Sequence, residues 1–373
     1  MKYRKILLMS SAVIISTYEP LKAIAADVVV AEPEPVEYMR VCDVYGEGFI
    51  YIPGTETCLK LSGYVQIDYQ SRQYHKGWST TPKTHRHGWS YEANLAVEAQ
   101  NETEWGTLRS ELSFTGGEGA PESSEDVFSG IDPTFRGSGD GALAIDAALI
   151  SLAGFQLGYG ADYWQTSGDD GYFNAINDGI YGEGSATFLQ YTYASDGIAL
   201  TAGIQAAASF DEGGTGLAGQ PDIYTGSSFS GDWGRIYGLY YHDASVARGA
   251  WKAGVELDMS STIPSGGLKG WYMSDNGGTN YVHGHAWGVS TQMKLSEKFV
   301  LYAGYSDYDW DETGQSWASA NDLSATDFSV GVLWNVTDGL EILAEYNKRN
   351  YDYQVVDDRV SVDSINLRVI RSF

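Results

Sequence analysis

From Leu59 the chain alternates strictly between apolar and polar positions. Leu59, Leu61, Gly63, Val65, Ile67 and Tyr69 fall on one face of an extended segment; Lys60, Ser62, Tyr64, Gln66, Asp68 and Gln70 fall on the other. A period of two over ~11 residues reads as a β-strand, long for a globular sheet and matched to one tilted across a bilayer. The same pattern returns at 91–100, 251–258, 328–336, 340–347 and 364–373. Near 142–152, 223–230 and 235–242 it is weak, and strands there are inferred from the rhythm of the connections.

That rhythm is itself a signal. Short turns fall at 101–106, 153–154, 194–197, 231–234, 296–298 and 337–339, with a looser one at 259–267. Longer polar segments stand between them at 71–89, 115–141, 161–184, 208–221, 243–249, 274–285, 307–325 and 350–359. Eight long and seven short connections require sixteen strands. An even count leaves both chain ends on the short-turn side, as in bacterial outer-membrane barrels. The competing fold is a soluble β-sandwich, whose strands also alternate but average only ~5–6 residues. Aromatics favour the barrel. Trp105, Phe155, Trp233, Phe299 and Trp334 lie at short turns, and Tyr69, Trp89, Tyr91, Tyr193, Trp271 and Tyr305 near strand ends beside long loops, as two interfacial girdles would.

Composition narrows the function. The 373 residues carry 49 Asp and Glu against 23 Lys and Arg, a net charge of −26 that opposes binding to nucleic acid. A 43% apolar fraction excludes a solvated disordered polymer. No apolar run reaches the ~18 residues that a membrane-spanning helix needs. The start is an export signal: Lys2, Arg4 and Lys5, an apolar stretch from Ile6 to Ile15, then Ala23-Ile24-Ala25 as a small-x-small cleavage pattern. The organisation expected is a signal peptide at 1–25, a linker and disulfide-closed segment at 26–58, and the barrel at 59–373. Cys42 and Cys58 are the only cysteines of an exported chain, so a disulfide between them is the default. Lying outside the alternating strands, it should be dispensable for the barrel.

A sixteen-stranded barrel is too wide for side chains to fill and keeps an aqueous channel. By parity, Lys60, Asp68, Glu92, Glu98, Arg109, Glu111, Lys252, Glu256, Lys294, Glu341, Glu345, Arg349 and Arg368 face that lumen. Strands one, three, fifteen and sixteen of the barrel come together on closure, so Lys60, Arg109, Arg349 and Arg368 should line one sector. Other chemistry is poorly supported. The 307–312 run starts like a calcium loop but has Glu312 where Gly is needed. His85/His87 and His283/His285 have the spacing of a strand-borne metal pair without further ligands. No nucleophile elbow, Walker loop, dinucleotide fingerprint or zincin motif occurs, so neither catalysis nor a cofactor is expected.

The N-terminal residues also carry a likeness. Tyr38-Met39-Arg40-Val41-Cys42-Asp43, Tyr51-Ile52-Pro53-Gly54-Thr55-Glu56-Thr57-Cys58-Leu59 and Ser62-Gly63-Tyr64-Val65 resemble the alphaproteobacterial porin family, as do Thr103-Glu104-Trp105-Gly106-Thr107-Leu108, Ala175-Ile176-Asn177-Asp178 and the terminal Arg371-Ser372-Phe373. The resemblance implies a homotrimeric, sixteen-stranded, general-diffusion porin of the Gram-negative outer membrane, among lipids and lipopolysaccharide. It further implies a third loop folded into the barrel as a constriction. By position that loop brings Asp162, Asp169, Asp170, Asp178 and Glu183 opposite a wall of Lys60, Arg109, Glu111, Glu345, Arg349 and Arg368.

The reading is therefore an all-β, sixteen-stranded antiparallel transmembrane barrel with long outer loops and short periplasmic turns. It would form a passive, moderately cation-preferring pore for small hydrophilic solutes and ions. Competing readings are a secreted sugar-binding or sugar-hydrolysing β-sandwich, and an adhesin-like barrel without an open lumen.

Overall fold

The computed structural model describes residues 40–75, 85–118, 143–168, 185–206, 220–244, 247–275, 284–310, 323–353 and 358–373. The expected signal peptide and the linker before residue 40 lie outside them, as do Asp169, Asp170, Asp178, Glu183 and His283. Among the described residues there are seventeen strands. The short β1 (Phe49–Tyr51) precedes β2 (Cys58–Tyr74), β3 (His85–Thr103), β4 (Gly106–Glu118), β5 (Ala144–Leu152), β6 (Phe155–Ala161), β7 (Ser185–Ser195) and β8 (Ile198–Gln205). There follow β9 (Asp222–Gly231), β10 (Gly234–Asp243), β11 (Arg248–Asp258), β12 (Gly267–Asp275), β13 (His285–Lys294), β14 (Phe299–Trp310), β15 (Leu323–Thr337), β16 (Leu340–Tyr353) and β17 (Asp358–Ser372).

Strands β2 to β17 pair antiparallel with their sequence neighbours, and β17 returns to β2 in a ladder from Val362↔Tyr74 to Ser372↔Tyr64. The sheet is closed and has sixteen strands. Backbone bonds between Phe373 and Gly63, 3.0 and 3.1 Å, end the seam. All seven short connections fall where the sequence puts them. Two of them, Ala153-Gly154 and Asp196-Gly197, hold both residues at positive φ, the geometry of a tight hairpin whose twist matches its strands. Several strands run further into the long connections than the alternation indicates: β2 reaches Tyr74, β3 starts at His85, and β16 reaches Tyr353. Asp307 and Asp309 lie within β14, not in a loop.

Polarity is inside out. Leu61, Val65, Ile67 and Ile365 are 47–60% exposed, whereas Gln66, Asp68, Gln70 and Arg72 are at most 8% exposed. The apolar face of this closed sheet is the outward one, and a belt of apolar side chains turned outward needs lipid. Trp89, Trp105, Phe155, Trp233, Phe299 and Trp334 face outward near strand ends, as expected of the girdles. Two girdle assignments need correction. Trp271 is 5% exposed and faces the lumen, and Tyr193 stands beside the short turn at Asp196, at the other end of its strand.

β9 and β10 owe their weak alternation to aromatics on the lumen side, and the same arrangement recurs on β12 and β14. Tyr224, Tyr237, Trp271 and Tyr302 point inward, and each lies directly across the ladder from a glycine: Gly203, Gly254, Gly288 and Gly331. A Cβ on any of these glycines would stand 2.2–2.6 Å from the opposing ring. The rings lie flat on the bare backbone, covering positions that would otherwise weaken the sheet.

Candidate functional site

The candidate site is the lumen wall, and its chemistry is a series of charge pairs. On β15 and β16, Arg349 donates to Asp327 Oδ2 through Nε (2.8 Å) and a terminal nitrogen (2.6 Å), while Asn347 donates to the other oxygen of Asp327. Across the seam, Arg368 of β17 forks onto Asp68 of β2 at 2.8 and 3.2 Å, and Gln66 donates to the same carboxylate at 2.8 Å. On β3 and β4, Arg109 lies between Glu98 (2.6 Å) and Glu111 (2.8 Å), with Gln100 also donating to Glu98. Tyr302 donates to Glu345 at 2.9 Å, and Tyr64 to Glu92.

The bases expected in one sector, Lys60, Arg109, Arg349 and Arg368, do stand within one contiguous run of strands, β16-β17-β2-β3-β4, with none of the four on β3. The three arginines are nevertheless engaged by acids of the same wall. A bidentate arginine–carboxylate pair is a fixed dipole, with little net charge to offer a passing ion. Asp327, which holds Arg349, is not marked by the alternation, which is regular only from Phe328, and Arg72 lies where β2 continues into a segment that reads as loop.

The opposite wall receives the start of the third long connection. Asp162 caps a one-turn helix, α1 (Tyr163–Thr166), accepting from the Gln165 N–H at 3.0 Å. Trp164 of that turn is buried among Tyr224, Leu239, Tyr241 and Trp271 of the wall. Lys252 of β11 donates to the Trp164 carbonyl at 2.8 Å and holds its ammonium 5.5 Å from the indole centroid. Arg235 of β10 donates to the Ser167 carbonyl at 2.6 Å. Tyr163 stacks on Tyr224 with centroids 5.3 Å apart, its ring lying over Gly226. Residues 162–168 thus turn inward onto β9–β11, as the inward-folded loop requires.

One assigned role changes. Asp162 is 1% exposed and used by its own helix, so its carboxylate is a structural cap and not a charge facing the water column. The other four expected constriction acids lie outside the described residues. The histidine pair His85/His87 sits on the outward face of β3, with ring centroids 5.8 Å apart. Among the described residues, no group of three or more His, Cys, Asp or Glu side chains could hold a metal ion.

A closed sixteen-stranded sheet with an apolar belt outside and paired charges inside defines a diffusion channel of the outer membrane. Comparison with known proteins agrees: a family model described as the porin subfamily matches residues 27–367, and the chain belongs to that family. It is 33% identical over 277 residues to Porin Omp2b of Brucella suis biovar 1 (strain 1330), covering 70% of this chain and 71% of the relative. Porin Omp2b of Brucella canis is 32% identical over the same length. Among solved structures, the outer membrane channel DcaP of Acinetobacter baumannii superposes with a TM-score of 0.65 at 12% identity, covering 87% of this chain and 99% of that one. An anion-selective porin from Comamonas acidovorans gives 0.60 at 12% identity, with 85% and 100% covered. These structures are alike in fold.

Proposed function

We propose that this porin is a general-diffusion channel for small hydrophilic solutes and ions, that it moderately prefers cations, and that it works as a homotrimer among outer-membrane lipids and lipopolysaccharide. The observation that carries the cation preference is the cluster around Arg109: Glu98, Glu102 and Glu111 against Arg109 and Lys60 leave that stretch of wall net negative. Acidic linings attract cations and oppose anions, and a low-dielectric wall focuses the field. The fold does not supply the sign, since a neighbour of similar architecture is described as anion-selective.

The rest of the preference is assigned to Asp169, Asp170, Asp178 and Glu183 of the third loop, with Asp162 anchoring the turn that leads into it. The Arg349–Asp327 and Arg368–Asp68 pairs, each held between neighbouring strands of one wall, orient solutes without excluding either sign, which keeps the preference moderate. Trimer formation is supported by the smooth outward faces of β2, β16 and β17, where Leu61, Val65, Ile67, Ile365 and Leu367 stand exposed. Reversal potentials across planar bilayers under a salt gradient test the assignment. Arg109→Ala, which releases two carboxylates, should raise the cation/anion permeability ratio; Asp169→Asn with Asp170→Asn should lower it. Unchanged potentials in both variants would remove these residues from the selectivity mechanism.

A further inference from the structure

The disulfide-closed segment does not hang clear of the pore. Cys58 and Lys60 share the lumen-facing parity of Gln66, Asp68 and Gln70, with an unbroken β2–β3 register from Cys58↔Gln100 to Gln73↔His85. Strand β1 pairs with this end of β2, placing Phe49 opposite Lys60 and Tyr51 opposite Cys58. Directly paired residues point to the same face, so Phe49 and Tyr51 are also on the lumen side. The Cys42–Cys58 bond ties the preceding strand of chain to that face, and Cys42, Phe49 and Cys58 form a small core of their own, none more than 3% exposed.

The knot reaches across neighbouring strands. Tyr45, at the end of a single 3-10 turn (Asp43–Tyr45), packs edge-on against Phe49 with centroids 6.0 Å apart. Its hydroxyl is pushed up from the ordinary tyrosine value by burial and by the Glu102 carboxylate of β3. Glu102 shares the parity of Glu98 and pairs with Thr107 beside the short β3–β4 turn. The Lys60 ammonium lies 5.6 Å from the Phe49 ring centroid, with its stem against Gly48. Phe49, Lys60, Glu98 and Glu111 therefore form one row across β1–β4 at the short-turn end of the barrel.

We propose that the Cys42–Cys58 knot is a fixed lip on the periplasmic mouth of the channel. Its bulk at Tyr45 and Phe49 limits what passes that mouth, and the Lys60 charge it seats there tempers the mouth's preference for cations. The lip deepens the channel reading and rests on it. Wild-type conductance keeps the two apart: a protein without conductance fails as a channel, whereas failure of the lip removes only the difference between variants.

The test uses full-length protein, with assembly checked by a heat-dependent gel shift. Deleting residues 40–57 together with Cys58→Ser should raise single-channel conductance and enlarge the solute exclusion limit measured by liposome swelling. Tyr45→Ala with Phe49→Ala keeps the disulfide and should do the same to a smaller extent; it is the deciding variant if the deletion does not assemble. Lys60→Gln should shift the reversal potential toward cations. Assembled variants with native conductance and exclusion limit would overturn the lip, and an unmoved reversal potential in Lys60→Gln would overturn its electrostatic role.

Discussion

Asp327 receives hydrogen bonds from Arg349 and Asn347 on the adjoining strand and is fully buried with them. Two charges taken out of water repay their desolvation only when the geometry is good and the remaining lone pairs are satisfied, and here both oxygens are in use. Removing one partner strands the other. Asp327→Ala should cost about 3–5 kcal/mol, seen as a lower temperature for the gel shift that marks barrel unfolding. Asp327→Ala with Arg349→Met should recover much of the loss. Equal unfolding temperatures for wild type and Asp327→Ala would mean that the pair contributes nothing. At this scale the sequence was only partly legible: strand parity places charged residues on the correct face, but partners sit on other strands, in a register that one sequence does not print. Arg368 and Asp68, three hundred positions apart, meet only because the barrel closes.

Among the elements, strands with apolar outer faces were readable from alternation alone, and the connection rhythm supplied the remainder. β9 and β10 blurred because the usual code is changed there: small residues such as Thr225, Ser227 and Gly238 face outward, while Tyr224, Tyr237 and Tyr241 face in. The glycines opposite such rings are then part of the packing. Gly331→Val would place a Cβ 2.2 Å from the Tyr302 ring and drive that ring off the sheet, away from Glu345. Overpacking of this kind costs about 1–3 kcal/mol. The expected result is a lower unfolding temperature for Gly331→Val, while Gly270→Ala, with no neighbour nearer than 3.8 Å, changes it little. Equal effects of the two substitutions would argue against ring-on-glycine packing. The disulfide was legible from cysteine count and export, yet its place was not. Cys58 is the first residue of β2 and paired with β3, so the knot belongs to the barrel's rim.

The whole molecule is a wall between lipid and water, and its two faces carry different claims. Its outward apolar belt requires a bilayer, and the smooth stretch over β16, β17 and β2 suits packing against another copy. Native mass measurement in detergent should therefore give three chains per particle; one chain per particle would contradict the trimer. The inward face carries the central claim, that this barrel is an open water-filled channel. Single-channel recording of purified protein in planar bilayers tests it most directly. The account predicts stepwise insertions with a stable, ohmic conductance that rises in proportion to bulk salt, as ions crossing a hydrated lumen require. Protein that inserts as a folded barrel, shown by its gel shift, yet passes no current would contradict it.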